Sequence, residues 1–325
     1  MLSLTPSGTD AGYAPPENDI ATTYAGTTAM RQFKLVTPTD LGPSERVPVI
    51  FLWFWLGANA QDFIDRAAVV AAAQQQRFIA VVPEKKGDVL FTWPFASTDS
   101  ADRMKQEFQF FDDMLACVAA RFPGNVNASC IASAGVSAGA LFTDQLAPAR
   151  SNVIASFLSL SGGVSGSLPS CTVSGLSCLK PWTKPVRDLP GLVLWGGSMD
   201  TCVVIDFEPG TKNLETALER EGSFFVECEH NCAHSQPPFD TPPGMTEYAA
   251  FWDFVYAHPY WLPAGESPYK SGGLPSTFPS WCSTKGAGTA VERTGACGPS
   301  ACSTTTAASD AGGASDAGSA DTGAD

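Results

Sequence analysis

Residues 131–140 read IASAGVSAGA, and at the centre Gly135-Val136-Ser137-Ala138-Gly139 sets one hydroxyl between two glycines. Upstream, ASCIASAG (128–135) is a short run of small and apolar residues that reads as a buried strand. Downstream, AGALFTDQLA (138–147) has the spacing of a helix. A G-x-S-x-G pattern in that context places its serine on a sharp turn at the helix N-terminus, with glycine wherever a Cβ would strike a neighbouring element. Ser137 is therefore the candidate nucleophile.

The same alternation continues on both sides. After an antiparallel start (DIATTYAG, MRQFKLVTP), the strand candidates are VPVIFLWFW, RFIAVVP, ASCIASAG, NVIASFLSL, GLVLWGG and SFFVECE. Between and after them lie the helix candidates AQDFIDRAAVVAAAQQQ, DRMKQEFQFFDDMLACVAARF, AGALFTDQLA, TKNLETALEREG and MTEYAAFWDFVYAHP. Continuous apolar strands joined by amphipathic segments predict a three-layer α/β fold: a mostly parallel central sheet with helices on both faces.

The chain has 325 residues and a formal charge of −14, which argues against a nucleic-acid partner. Its longest apolar run, residues 47–57, is too short to span a bilayer. Ten cysteines suit disulfides outside a reducing cytosol, so the expected location is secreted, periplasmic or cell-surface, although the first residues do not resemble a signal peptide. The tail ASDAGGASDAGSADTGAD has nothing apolar larger than alanine to bury. We divide the chain into a flexible segment at 1–16, a single catalytic domain at 17–262, a cysteine-containing extension at 263–303 and a disordered tail at 304–325.

A serine needs a base to take its proton, and the base needs an orienting acid. GLVLWGG runs into Ser198-Met199-Asp200, which puts Asp200 at a strand's carboxyl end, where open α/β sheets carry their working residues. Asp206, further along, is the rival. Only three histidines exist. His258 follows the last helix, which leaves His230 and His234 in VECEHNCAH; His234, deeper in the loop, is favoured because it can turn back over the sheet. Cys228, His230, Cys232 and His234 also alternate like metal ligands, but strict alternation suits a tetrahedral ion poorly, and a Cys228–Cys232 bridge is preferred. Further bridges are expected for Cys171 with Cys178 and for Cys117 with Cys130. Cys202 pairs with one of Cys282, Cys297 and Cys302, or one of those three stays free. Trp93, in the loop FTWPF, is expected to line the site as an aromatic wall, and folding of that loop onto the core is the alternative.

Over residues 28–258 the chain resembles the alpha/beta-hydrolase esterases grouped with polyhydroxybutyrate depolymerases and feruloyl or acetylxylan esterases. The likeness rests on GVSAG around Ser137, SLSGG at 159–163, WGGSMD ending at Asp200 and VECEHNCAH ending at His234; FFDDMLACV at 110–118 looks like the helix before the nucleophile strand. Two departures stand out. Ala233 replaces the glycine that precedes the family's catalytic histidine, and FLWFWLGANAQDF lacks the family's His-Gly, putting Phe54, Trp55 and Leu56 in the positions of His, Gly and the oxyanion donor. The resemblance implies an α/β-hydrolase fold with Ser137, His234 and Asp200 as triad and the amides of Leu56 and Ala138 as oxyanion hole. Trp55 joins Trp93 as a substrate-contacting residue. The implied activity is secreted serine carboxylic ester hydrolysis of aryl, acetyl-polysaccharide or polyester bonds, by a monomer with no metal or organic cofactor. A peptidase of the same fold and a non-catalytic carbohydrate- or polymer-binding protein are the alternatives.

Overall fold

The computed structural model describes residues 17–172, 178–298 and 302. The segments at 1–16 and 304–325 that were set apart on composition lie outside the described residues.

An antiparallel pair, β1 (Glu17–Tyr24) and β2 (Thr27–Val36), opens the chain as expected. Five buried strands follow: β3 (Val47–Trp53), β4 (Ile79–Pro83), β5 (Val126–Val136), β6 (Ser156–Leu160) and β7 (Gly191–Trp195). A two-stranded hairpin, β8 (Thr201–Cys202) with β9 (Ile205–Asp206), precedes β10 (Phe225–Glu229), and β11 (Cys282–Ser283) comes last. All but the hairpin join one sheet in the order β1-β2-β4-β3-β5-β6-β7-β10-β11, parallel from β4 to β10 and antiparallel at both ends. Every residue of β3, β4 and β7 is buried, as a sheet covered on both faces requires.

The helices are α1 (Ala60–Arg66), α2 (Val69–Gln76), α3 (Ala101–Arg121), α4 (Ala138–Ala149), α5 (Phe207–Glu221), α6 (Ala249–Ala257) and α7 (Pro268–Gly272). The single helix expected over 60–76 breaks in two where Ala68 takes a φ of 47°. Asn59 starts α1 with a capping box through Asp62. Side-chain alternation along β5 separates the two helical layers. Ser133 bonds to Thr143 of α4 on one face, while Ala134 and Val136 point with Phe251 and Trp252 of α6 into a cavity on the other.

The chain goes from β3 to β4 on one side and then crosses to β5 on the other. The crevice at the carboxyl ends of β3 and β5 is thus the switch point of the sheet, where open α/β folds bind ligands. Leu56 and Ser137 follow those two strands.

Residues after 262 fold back onto this sheet. Residue 282 pairs across from residue 228, extending the sheet beyond the strand read as its last. The disulfides are Cys171–Cys178, as expected, and Cys202–Cys302, Cys228–Cys282 and Cys232–Cys297. The preferred Cys228–Cys232 bridge does not form. Along an extended strand four residues span about 13 Å, beyond the reach of a disulfide, whereas Cys228 and Cys282 are opposed with Cα atoms 4.2 Å apart. Cys117 and Cys130 are also unbridged. The helix of Cys117, α3, packs along β1 and against Phe51 of β3 through Phe111, not along β5, and the Sγ of Cys130 on β5 instead accepts a bond from the Asn127 side-chain amide.

Two results are expected. Alkylation of the unfolded, unreduced protein should label Cys117 and Cys130 alone, by peptide mass; label on any other cysteine breaks this connectivity. Replacing Cys228 and Cys282 together by alanine should lower the unfolding free energy by about 2–4 kcal/mol in urea titration.

Candidate active site

Ser137 is the N-cap of α4 with φ 56° and ψ −120°, a conformation that L-residues rarely adopt and that costs about 1–3 kcal/mol. Close packing on either side holds it there. A Cβ on Gly135 would lie 2.1 Å from the carbonyl oxygen of Gly139, and one on Gly139 would lie 2.0 Å from that of Trp53. The Ser137 N–H donates to the carbonyl of Leu160 on the next strand at 2.9 Å.

The structure brings Ser137, His234 and Asp200 into one hydrogen-bonded line. The Ser137 hydroxyl lies 2.8 Å from Nε2 of His234, and Nδ1 of the same ring lies 2.6 Å from Oδ1 of Asp200. Because an ionised carboxylate only accepts, Nδ1 carries the proton and Nε2 is left to accept from serine. Asp200 is fully buried, and its other oxygen accepts from the Gly196 amide at 2.7 Å and the Ser161 hydroxyl at 2.9 Å. The His234 ring stacks on Phe207 at 4.3 Å between centroids. Ser161 and Phe207 escaped the sequence reading. Ser161 belongs to the quoted SLSGG stretch, but nothing in its spacing says that it faces an acid from another strand.

The other candidates lie elsewhere. Asp206 is the N-cap of α5 and half-buried. His230 is buried beside Trp281, with Nδ1 accepting from the Cys232 amide at 3.2 Å. His258 caps α6 and is closed off by Phe254 and Ser267. The zinc reading of the alternating stretch fails, since Cys228 and Cys232 enter different disulfides and His234 bonds to Asp200 and Ser137. Among the described residues only Cys202, His234 and Cys302 converge within 4.8 Å, and two of those sulfurs are bonded to each other.

Leu56 follows β3 and lines the same cavity as Ser137 and His234. Trp55, in place of the family's glycine, needs no unusual backbone: the positive φ falls at Gly57 instead, at 84°. Trp55 borders the cavity, with the Arg66 guanidinium 5.5 Å from its ring centre. Trp93 does not border it, contrary to expectation. It is fully buried, its indole N–H donates to the Phe54 carbonyl at 2.8 Å, and its ring meets Trp53 edge-on. That bond turns the loop into the core and anchors the backbone just before Leu56.

A second buried carboxyl supports the site from beneath. Asp144 of α4 accepts from the Ser159 hydroxyl at 2.9 Å and the Gly163 amide at 2.6 Å, clamping the SLSGG stretch to the helix that follows Ser137.

This sheet order, strained serine turn and Ser–His–Asp line define an α/β-hydrolase fold. Among solved structures the chain is similar to pOPH (TM-score 0.60, 16% identity, 84% of this chain and 96% of that one) and to sOPH (TM-score 0.59, 16% identity, 84% and 95%). It is also similar to a CE1 ferulic acid esterase from Anaeromyces mucronatus in complex with ferulic acid (TM-score 0.52, 15% identity, 77% and 93%). No sequence-family profile matches the chain, and no curated protein does.

Buried ionisable groups set a pH profile for stability. Burial holds His230 and His258 down at about 4, so the folded protein keeps them neutral where the unfolded chain protonates them below about 6.5. Burial pushes Asp144 up to about 8 and Glu215 up to about 9, so the folded protein keeps protons that the unfolded chain loses above about 4. Between about pH 4.5 and 6.5 the two pairs cancel in their effect on stability. Above that window only the carboxyls act, the unfolded state binds fewer protons, and stability falls as pH rises. In urea titrations, Asp144→Asn should reduce the loss between about pH 6.5 and 8 by about 2 kcal/mol; an unchanged slope would show that Asp144 is ionised in the fold.

Proposed function

We propose that this chain is a serine carboxylic ester hydrolase, with Ser137 as nucleophile, His234 as general base and then acid, and Asp200 as the group that orients the imidazole. The observation that carries the reading is the unbroken Ser137–His234–Asp200 line at the mouth of a cavity of about 500 Å³. In acylation the Ser137 oxygen bonds to the ester carbonyl carbon as its proton passes to Nε2 of His234, and the negative charge falls on the carbonyl oxygen. The amides of Leu56 and Ala138 are the donors assigned to that oxygen; the second is a first-turn amide without an intrahelical acceptor. Collapse of the adduct breaks the bond to the alcohol, which leaves with the proton from His234. Water then repeats the sequence on the acyl-enzyme, and Ser137 recovers its proton.

The similarity to a ferulic acid esterase and to pOPH, a variant of which was solved with pNPB, fits ester substrates. Aryl, acetyl-polysaccharide and polyester bonds are the candidate classes, from a small or polymeric substrate, acted on by a monomer. Four disulfides among the described residues favour a site of action outside a reducing cytosol.

A p-nitrophenyl butyrate assay combined with a serine-trapping phosphonate tests the reading. Turnover is expected, with one equivalent of phosphonate on Ser137. Ser137→Ala and His234→Ala should each lose at least about 1,000-fold in kcat, with melting temperature unchanged, while His230→Ala should lose little. Absence of both turnover and labelling would favour a binding protein, and cleavage of peptides but not esters a peptidase. Leu56→Ala should retain most activity, because only its backbone is used. Leu56→Pro, if folded by its melting curve, should lose about 100–1,000-fold; parent activity there would move the donor to another amide.

A further inference from the structure

The floor of the cavity lies inside the core. Ala134, Leu158 and Leu194 line it from three adjacent strands, and Phe251 and Trp252 close it from α6. All five are at most 5% exposed. In most α/β domains this layer between sheet and helix is filled solid, because interiors pack like organic crystals. Here a cavity of about 500 Å³ in all, lined by Ser137 and His234 as well, reaches into this layer. Its polar lining includes Ser137, His234 and Gln236, its most exposed lining residues are Leu56, Arg66 and Val203, and the five floor residues carry no charge.

We propose that this space is an acyl pocket for a medium-chain, unbranched aliphatic acid, so that the best substrates are esters of about eight carbons on the acyl side and acetyl esters are poor ones. The inference rests on the hydrolase reading above and adds the substrate class. The reaction itself decides which half of the ester enters. After acylation the alcohol must leave past His234 and water must arrive there, so the alcohol side faces the open mouth. The acyl group stays bonded to Ser137 throughout and takes the closed end. A liquid water occupies about 30 Å³, and a methylene is of similar size, so a space of this volume has room for well over eight such groups. Leucine, alanine and aromatic walls offer a fatty chain apolar contact, and among the five floor residues the one side-chain polar group is the indole N–H of Trp252, too few partners for the several hydroxyls of a sugar.

The test is a ladder of p-nitrophenyl esters from acetate to dodecanoate on the intact protein, with calorimetric titration of octanoate and acetate into the Ser137→Ala variant. Each methylene buried should raise kcat/KM several-fold, giving octanoate at least about a 100-fold advantage over acetate. Octanoate should bind the Ser137→Ala protein and acetate should not. Ala134→Leu, which fills the floor, should lower the octanoate-to-acetate ratio at least about 30-fold. Leu158→Phe repeats that test from the next strand should the first variant fail to fold. A ladder that peaks at acetate, or a ratio unmoved by a folded floor variant, overturns the proposal. Failure of the hydrolase reading looks different: no ester of any length is turned over and no phosphonate labels Ser137. Octanoate binding would then uphold the ligand class of the cavity by itself.

Discussion

Everything at the site depends on how closely β3, β5 and α4 approach one another. At Gly139 the space beyond Cα belongs to the Trp53 carbonyl, and at Gly135 to the Gly139 carbonyl, with only 2.0–2.1 Å to where a Cβ would stand. Hydrogen alone fits at both positions. With both ends of the turn seated, Ser137 has no relaxed conformation available and is driven to positive φ. The strain is offset by α4, whose residues from Ala138 to Pro148 are all buried. Packing enforces a local backbone that the serine by itself would leave.

Asp200 and His234 are tied to this turn by a second close approach. A Cβ on Gly196, at the end of β7, would fall 1.9 Å from the Ala233 carbonyl, so the chain leading to Asp200 and the loop carrying His234 lie in direct backbone contact. Ala233 has φ 54°, which explains why glycine suits this place in the esterases that the sequence resembles. Here an alanine takes the strained angle, and Cys232, the residue before it, is bonded to Cys297. The histidine loop is braced from its base at β10 by Cys228–Cys282 and again at its tip by Cys232–Cys297. Residues 282–298 thus hold the loop that positions His234, although they lie beyond the stretch that resembles the esterases.

What was legible in the sequence follows from the same physics. Buried parallel strands are mostly apolar, so β3 to β7 and β10 could be read directly, even with serines in β5 and β6 and glutamates in β10. Ser137, Asp200 and His234 could be placed because each follows a strand at its carboxyl end, and three histidines leave little choice. The strand β11 was not legible, since two residues paired to a sheet edge carry no period. Disulfide partners were not legible because Cys228 meets a residue 54 positions away, a distance set only by the return of the chain. Trp93 was misplaced for a related reason. An aromatic in a loop at the sheet's carboxyl end is as ready to turn inward as outward, and the choice was made by the Phe54 carbonyl that its indole reaches.

The inward turn of Trp93 has a counterpart in the cavity on the opposite face of β5. With Trp53 and Phe142, Trp93 packs the α4 face solid, with ring centres 4.7–6.0 Å apart. The α6 face receives Ala134 and Val136 from the same strand, and there the space stays open. Because side chains alternate along a strand, one stretch of β5 serves both purposes without compromise. Its odd residues, Ser133 and Gly135, seat α4 rigidly; its even residues, Ala134 and Val136, supply small walls to a cavity that Ser137 also lines. Rigidity and room usually compete where a turn meets a cavity. Here the two-residue period of a strand separates them, so the turn that holds Ser137 owes nothing to the contents of the cavity.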